Sequence, residues 1–318
     1  MQQQGNVYEA RVRDNSQIAI IGDGNLCLEL VEGKVLVGKQ HPQPANASEK
    51  QYEWNHRQLW KINEYAVGKV KHVTIRNIKT GDFLAHDGRS LAVIPTEGKP
   101  YTEKGRRAFT LRNGQLWIVS KPDAEHHNGH SIQNVQTKAY INFGTRDVPL
   151  KPHHQVQALE KPSGNHWVFY KKSVTLNEVY AILKAHGKLH PEFKVADFVD
   201  DSLYLVVTQG TLVNIWEQTG LGRKKCRMDI WDSDDFAISF KNSVSTWGDN
   251  EFEGVYPGFG ILCGIAFARN KDPKQPAHAY SWTLHREGNT WKIIYFEPQN
   301  GKFDTEALRN TIPYLMLT

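Results

Sequence analysis

"RQLWKI" at residues 57–62, "GQLWIV" at 114–119 and "NHWVFY" at 165–170 each close a segment of similar sequence. Trp60 and Trp117 stand 57 positions apart, as do Ile75 and Ile132, and Trp167 follows 50 positions after Trp117. Upstream, "TIRNIKTGDFL" (74–84) lines up with "SIQNVQTKAYI" (131–141), and "IAIIGDGNLCL" (18–28) matches more loosely, with Gly24 falling where Gly81 falls. Self-similarity at a fixed period is a signal about architecture. Between the matches lie short alternating runs such as "HVTIRNI" and "KVLVGKQ", bounded by Gly, Asn, Asp and Pro. Such runs read as strands, with no helical period. Three β units that each bring one tryptophan to the same point predict a pseudo-threefold closed structure with the tryptophans in a shared core.

Near Lys171-Lys172 the pattern changes. "TLNEVYAILKAHG" (175–187) has Leu176, Val179, Tyr180 and Leu183 at helical spacing, Thr175 as cap and Gly187 as stop. "SLYLVVTQGTLVNIWEQ" then reads as strand. A helix follows at "SDDFAISFKNSVSTWG", with Phe236, Phe240 and Val244 on one face. The apolar runs "GFGILCGIAFARN" and "AYSWTLHREGNTWKIIYFEPQ" complete the chain's second half. Helices followed by a run of strands predict an α+β domain. The expected division is an all-β domain over 1–171 and an α+β domain over 172–318.

The 318 residues suffice for two domains of ordinary size. Hydrophobic residues make up 39% and charged ones 23%, with a mean hydropathy of −0.56. No apolar run approaches the roughly 20 residues of a membrane helix, so no membrane insertion is expected. The opening "MQQQGNVYEARVRDNS" lacks the apolar stretch of a signal peptide, which leads us to expect a cytoplasmic protein and a bare Asn46-Ala47-Ser48 sequon. Cys27, Cys226 and Cys263 are odd in number and widely spaced, which fits a reducing compartment without disulfides. A net charge of +5 and pI of 8.9 are mildly basic, and "GRKKCR" (222–227) is too short and too poor in aromatics to predict nucleic-acid binding.

Chemistry concentrates in the second half. Ser233 stands before two aspartates at a helix start, where a hydroxyl accepts an orphan N–H and carboxylates suit the positive dipole end. The same place lowers the pKa of a nucleophilic thiol. His278 opens one strand and Glu297 ends the next, joined by "REGNT", so antiparallel pairing would bring imidazole and carboxylate together. Cys226 is a rival nucleophile with basic neighbours, but it precedes the helix instead of opening it. Cys263 and Cys27 read as core residues.

The first half resembles the ricin-B-type β-trefoil, whose repeats close on Gln-x-Trp. Gln58-Leu59-Trp60 and Gln115-Leu116-Trp117 match, while Asn165-His166-Trp167 departs at its first position. The resemblance implies up to three shallow sugar sites, each with an acid or amide and an aromatic or apolar platform. On that pattern the carbohydrate-binding candidates are Asp23 and Asn55 in repeat 1, Asp87 and Asn113 in repeat 2, and Asp147 and Asn165 in repeat 3. An Asp in a Gly-containing turn is also an ordinary turn residue.

In order behind the trefoil, "DDFAISFK", "LCGIAFAR", "AHAYSWTL" and "FEPQNG" resemble the mushroom chimerolectins of the Marasmius oreades agglutinin type. These join a ricin-B-type lectin domain to a papain-like, calcium-dependent cysteine-protease domain that also dimerises. The resemblance implies His278 as the catalytic histidine, Glu297 as its partner, and Asp234, Asp235 and Gln299 as calcium-proximal side chains. The family pattern Cys-Asp-Asp-Phe-Ala meets Ser233-Asp234-Asp235-Phe236-Ala237 here. A hydroxyl is much less acidic than a thiol, so a site tuned to thiolate and imidazolium would be nearly silent. Either the cysteine was replaced to prevent self-cleavage or the protease has decayed.

The expectation is therefore a lectin for galactose-type or sialylated cell-surface glycans, carrying a papain-like protease inactive as written. Implied with it are a homodimer, a polypeptide substrate if active, and a defensive toxin role after release or ingestion. The alternatives are a non-enzymatic agglutinin with a relic dimerisation domain, or a trefoil inhibitor or regulator, which leaves the His278–Glu297 pair unexplained.

Overall fold

The computed structural model describes residues 7–11, 17–23, 26–39, 56–67, 70–94, 101–103, 106–121, 129–142, 154–159, 167–186, 194–196, 203–227, 230–252, 258–287 and 290–317. The chain forms two compact units that meet in sequence between Lys172 and Ser173. Among the described residues, no helix is long and apolar enough to cross a membrane.

The first unit is built on a 13-stranded antiparallel sheet and a separate three-stranded sheet. Its core contains Trp60, Trp117 and Trp167, all fully buried. A buried indole needs an acceptor for its N–H, and each of the three has found the same kind. Trp60 Nε1 donates to Leu28 O (3.1 Å), Trp117 Nε1 to Leu84 O (3.0 Å) and Trp167 Nε1 to Ile141 O (2.9 Å). Each tryptophan thus reaches a strand carbonyl of its own repeat, and the third does so although asparagine replaces glutamine at 165. Gln58 and Gln115 are themselves buried.

The aligned turns repeat too. Asn77 Oδ1 accepts the N–H groups of Lys79 and Thr80, and its Nδ2 donates to Arg57 O. Asn134 repeats this with Gln136, Thr137 and Gly114. Both are side-chain mimics of a backbone turn. The turn then needs a positive φ: Gly81 has +77° and the equivalent Lys138 has +61°, a conformation in which a Cβ is strained. This architecture is β-trefoil-like.

In the second unit, helix α1 (Leu176–Ala185) opens at the expected cap, Thr175, which forms a capping box with Glu178. Thr175 Oγ1 accepts from Glu178 N (3.2 Å) while Glu178 Oε2 accepts from Thr175 N (2.8 Å). Gly187 lies outside the described residues. The strand reading of 202–218 is corrected. Only Leu203–Leu205 is strand, and helix α2 spans Gln209–Thr219. The β-branched Thr and Val suggested a strand, but Thr208 Oγ1 accepts from Thr211 N and Leu212 and Ile215 bury one face. Cap and tertiary burial overrode local propensity.

Helix α3 (Ser233–Glu251) buries Phe236, Phe240, Val244 and Gly248, and packs against a six-stranded sheet. The strand order is Lys194–Ala196, Thr311–Leu317, Gly264–Asn270, His278–Glu287, Thr290–Glu297, Lys302–Phe303. Phe240 stacks at 4.6 Å on Phe296, and Ala237 packs on Ile265 and Ala279. His278–Glu287 and Thr290–Glu297 pair antiparallel from Glu287↔Thr290 to Ser281↔Phe296. That register brings the first residue of one strand and the last of the other to the same sheet end. A short helix α4 (Glu306–Arg309) precedes the last strand.

Candidate functional site

The hairpin register delivers what the spacing predicted. His278 Nε2 lies 2.5 Å from Glu297 Oε2, with Glu297 buried and the imidazole half-buried. An ionised carboxylate only accepts, so the short bond places a proton on Nε2 and leaves Nδ1 as the ring's other functional nitrogen. Glu297 Oε1 accepts from Gln299 N (3.2 Å), and Glu297 O takes the N–H groups of Asn300 (3.2 Å) and Gly301 (2.8 Å). The carboxylate is therefore oriented by the turn that follows its own strand. Tyr280, two residues beyond His278, has its hydroxyl pKa pushed up to about 12, chiefly by burial and further by the Glu297 charge.

Ser233 is the first residue of α3, and its Oγ accepts the N–H of Ala279 (3.1 Å), the residue after His278. Helix terminus and histidine strand meet at this bond. Among the described residues, no hydrogen bond links Ser233 directly to His278.

The expectation that Ser233 caps the helix is corrected: the cap is Asp232. Its Oδ1 accepts from Asp234 N (3.3 Å), while Asp235 Oδ2 accepts from Asp232 N (3.2 Å), a reciprocal box one position earlier. Asp232-x-x-Asp235 was present in the sequence, but the adjacent serine competed for the same role. With the cap occupied, the Ser233 hydroxyl faces the neighbouring strand.

Carboxylate oxygens of Asp232, Asp234 and Asp235 lie within 4.8 Å of one another. The side chain of Asp232, partial burial and the charges of Asp232 and Asp235 hold the Asp234 pKa above its usual value. Three crowded hard-oxygen donors suit a calcium-type cation. The cluster brings together two of the residues expected near calcium, Asp234 and Asp235, with their neighbour Asp232. For Gln299 the structure provides the backbone bond to Glu297.

Cys226 is exposed and lies outside any helix, which removes it from a helix terminus. Burial pushes the pKa of the Cys27 thiol up to about 12 and of Cys263 up to about 11. Both are core thiols.

Of the sugar-site candidates, Asn55, Asp147 and Asn165 lie outside the described residues. Asp23 ends strand Gln17–Asp23 and Asn113 begins a 3-10 turn, and their side chains also lie outside what is described. Asp87 is exposed. Its Oδ1 accepts from Arg89 N (2.8 Å) and Ser90 N (2.9 Å), and these bonds hold its carboxyl below the usual range. One oxygen thus closes the turn.

Comparison with known proteins covers both units. The family described as agglutinin C-terminal matches residues 204–303, which contain Ser233, His278 and Glu297. The Polyporus squamosus lectin bound to the human-type influenza-binding epitope Neu5Aca2-6Galb1-4GlcNAc is similar over 98% of this chain and 100% of its own, with 27% identity and a TM-score of 0.72. A PSL1a–E64 complex is similar over the same shares, with 27% identity and a TM-score of 0.71. No curated protein matches the chain. The chain carries the fold of a fungal lectin with an agglutinin C-terminal region.

Proposed function

We propose that this chain is a glycan-binding lectin whose second unit is a papain-like cysteine-protease domain silenced by serine at its nucleophile position. The observation that carries the reading is the 2.5 Å His278–Glu297 pair beside Ser233, the first residue of α3, whose Oγ takes the Ala279 N–H. A His–carboxylate pair with a half-buried imidazole has no need to abut a helix N-terminus for packing alone. With cysteine at 233, that N–H and the helix dipole would stabilise a thiolate. His278 Nδ1 would take the thiol proton and return it to the leaving amine, with Glu297 holding the ring and its charge. Asp232, Asp234 and Asp235, with Gln299 on the neighbouring turn, would hold calcium, which supplies positive charge that relieves their mutual repulsion. With serine, the same dipole cannot bring the hydroxyl to a useful acidity.

The similar lectin's sialylated ligand supports galactose-type or sialylated cell-surface glycans as the target of the first unit. The candidate contacts there remain Asp23, Asn55, Asp87, Asn113, Asp147 and Asn165. A homodimer through the second unit, a cytoplasmic store and toxicity after ingestion complete the reading. The hydroxyl at 233 itself favours the second reading, an agglutinin with a relic second domain.

The test is Ser233→Cys with calcium, scored by self-cleavage and casein turnover. Activity in Ser233→Cys, absent in the parent and in Ser233→Cys/His278→Ala, supports the protease reading. No activity at any calcium concentration refutes it and leaves the agglutinin. Glycan-array binding checks the lectin half separately.

A further inference from the structure

Glu297 is oriented by the turn 297–301, and a side chain from another element grips that turn. Trp216, on α2, donates from Nε1 to Pro298 O at 2.7 Å, onto the carbonyl next to Glu297. The ring also lies so close to Gly301 that a Cβ there would come within 2.6 Å of Cζ3. Gly301 has φ +69°, so glycine suits both its conformation and the ring. On another side the indole meets Gly222, where a Cβ would lie 2.7 Å from Cη2 and Cζ2. Trp216 is therefore gripped by two glycines, 85 and 6 positions away, and pins the turn by a hydrogen bond and by contact. It is only half-buried, and simple packing would be met by any large apolar side chain. An N–H aimed at the carbonyl beside Glu297 is a more particular requirement.

We infer that Trp216 is a positioning residue for the His278–Glu297 pair, acting through the turn 297–301; this rests on the proposed protease reading of that pair. The turn supplies the Oε1 partner, Gln299 N, and so orients the carboxylate whose Oε2 meets His278. Releasing Pro298 O lets the turn move, and a bond of 2.5 Å does not survive a displacement of about 1 Å. Misplacement on that scale costs an active site on the order of a hundredfold in rate.

The first readout needs no catalysis. In the full chain with Ser233, the proton in so short a bond is expected as a far-downfield proton resonance, assigned by its loss in Glu297→Gln. Trp216→Phe keeps a smaller aromatic ring and deletes the donor, and Gly301→Ala pushes the same turn by adding a Cβ against the indole. The inference expects the resonance to vanish or move upfield in both, with thermal unfolding shifted by only a few degrees. Should one variant fail to fold, the other carries the test. The second readout is in Ser233→Cys, where Trp216→Phe should lower kcat roughly tenfold to hundredfold with KM within about twofold. An unchanged resonance in the folded variants overturns the inference whatever the activity. A responsive resonance with an inactive Ser233→Cys supports the positioning role and refutes the protease reading.

Discussion

If the three tryptophans are equivalent supports of one core, the same substitution must cost about the same at each. Take Trp117→Phe. It deletes the N–H that satisfies Leu84 O at 3.0 Å, deep in a core where both residues are fully buried. A buried carbonyl left without its partner costs about 1–3 kcal/mol. Phenylalanine is also smaller by roughly 40 Å³, and a residual cavity of that size adds about 1 kcal/mol at ~24 cal/mol per Å³. The expected loss is about 2–4 kcal/mol. Trp60→Phe and Trp167→Phe remove bonds of 3.1 and 2.9 Å from equally buried positions, so each should fall in the same range. The assay is urea denaturation of the full chain by far-ultraviolet circular dichroism, fitted with one transition per unit because two domains need not unfold together. The affected transition should be that of the first unit. A cost below about 1 kcal/mol at any site, or a spread above about 2 kcal/mol among the three, refutes the equivalence.

Two further predictions concern the start of α3. Asp232→Ala should destabilise the second unit by about 1 kcal/mol through loss of the cap, whereas Ser233→Ala should leave the cap intact; a larger loss from Ser233→Ala in calcium-free denaturation would contradict this assignment. The side chain of Asp232, foremost, holds the folded-state pKa of Asp234 above the usual aspartate value. For a raised carboxyl the penalty is absent below the unfolded pKa, grows as pH rises through the unfolded and then the folded pKa, and is complete above the latter. Asp234→Asn should therefore gain on the parent between about pH 3 and pH 7 without calcium, by no more than about 1 kcal/mol given solvent screening. A difference that stays flat with pH would remove the crowding argument.

Much of the candidate site was legible because it is built from local rules. His278 begins the first strand of one hairpin and Glu297 ends the second, so antiparallel pairing brings both to its open end. The α3 apolar face at Phe236, Phe240 and Val244 follows from helical period alone. Helix α2 was misread because Thr and Val suit strands, whereas the Thr208 cap and burial of Leu212 and Ile215 made the helix the better state. The identity of the α3 cap was missed because Asp232 and Ser233 are both good caps. The chain direction entering the helix chose between them.

The periodic tryptophans, the strand alternation and the change near residue 171 were determined by sequence alone, since each depends on spacing along the chain. Only the tertiary structure decided which carbonyl each indole would meet, that Ser233 would face Ala279, and that Trp216 would seat against a turn 82 residues away. Those are contacts between segments distant in sequence. Their partners are selected by which surfaces close-packing brings within hydrogen-bond reach, and no local propensity encodes that choice.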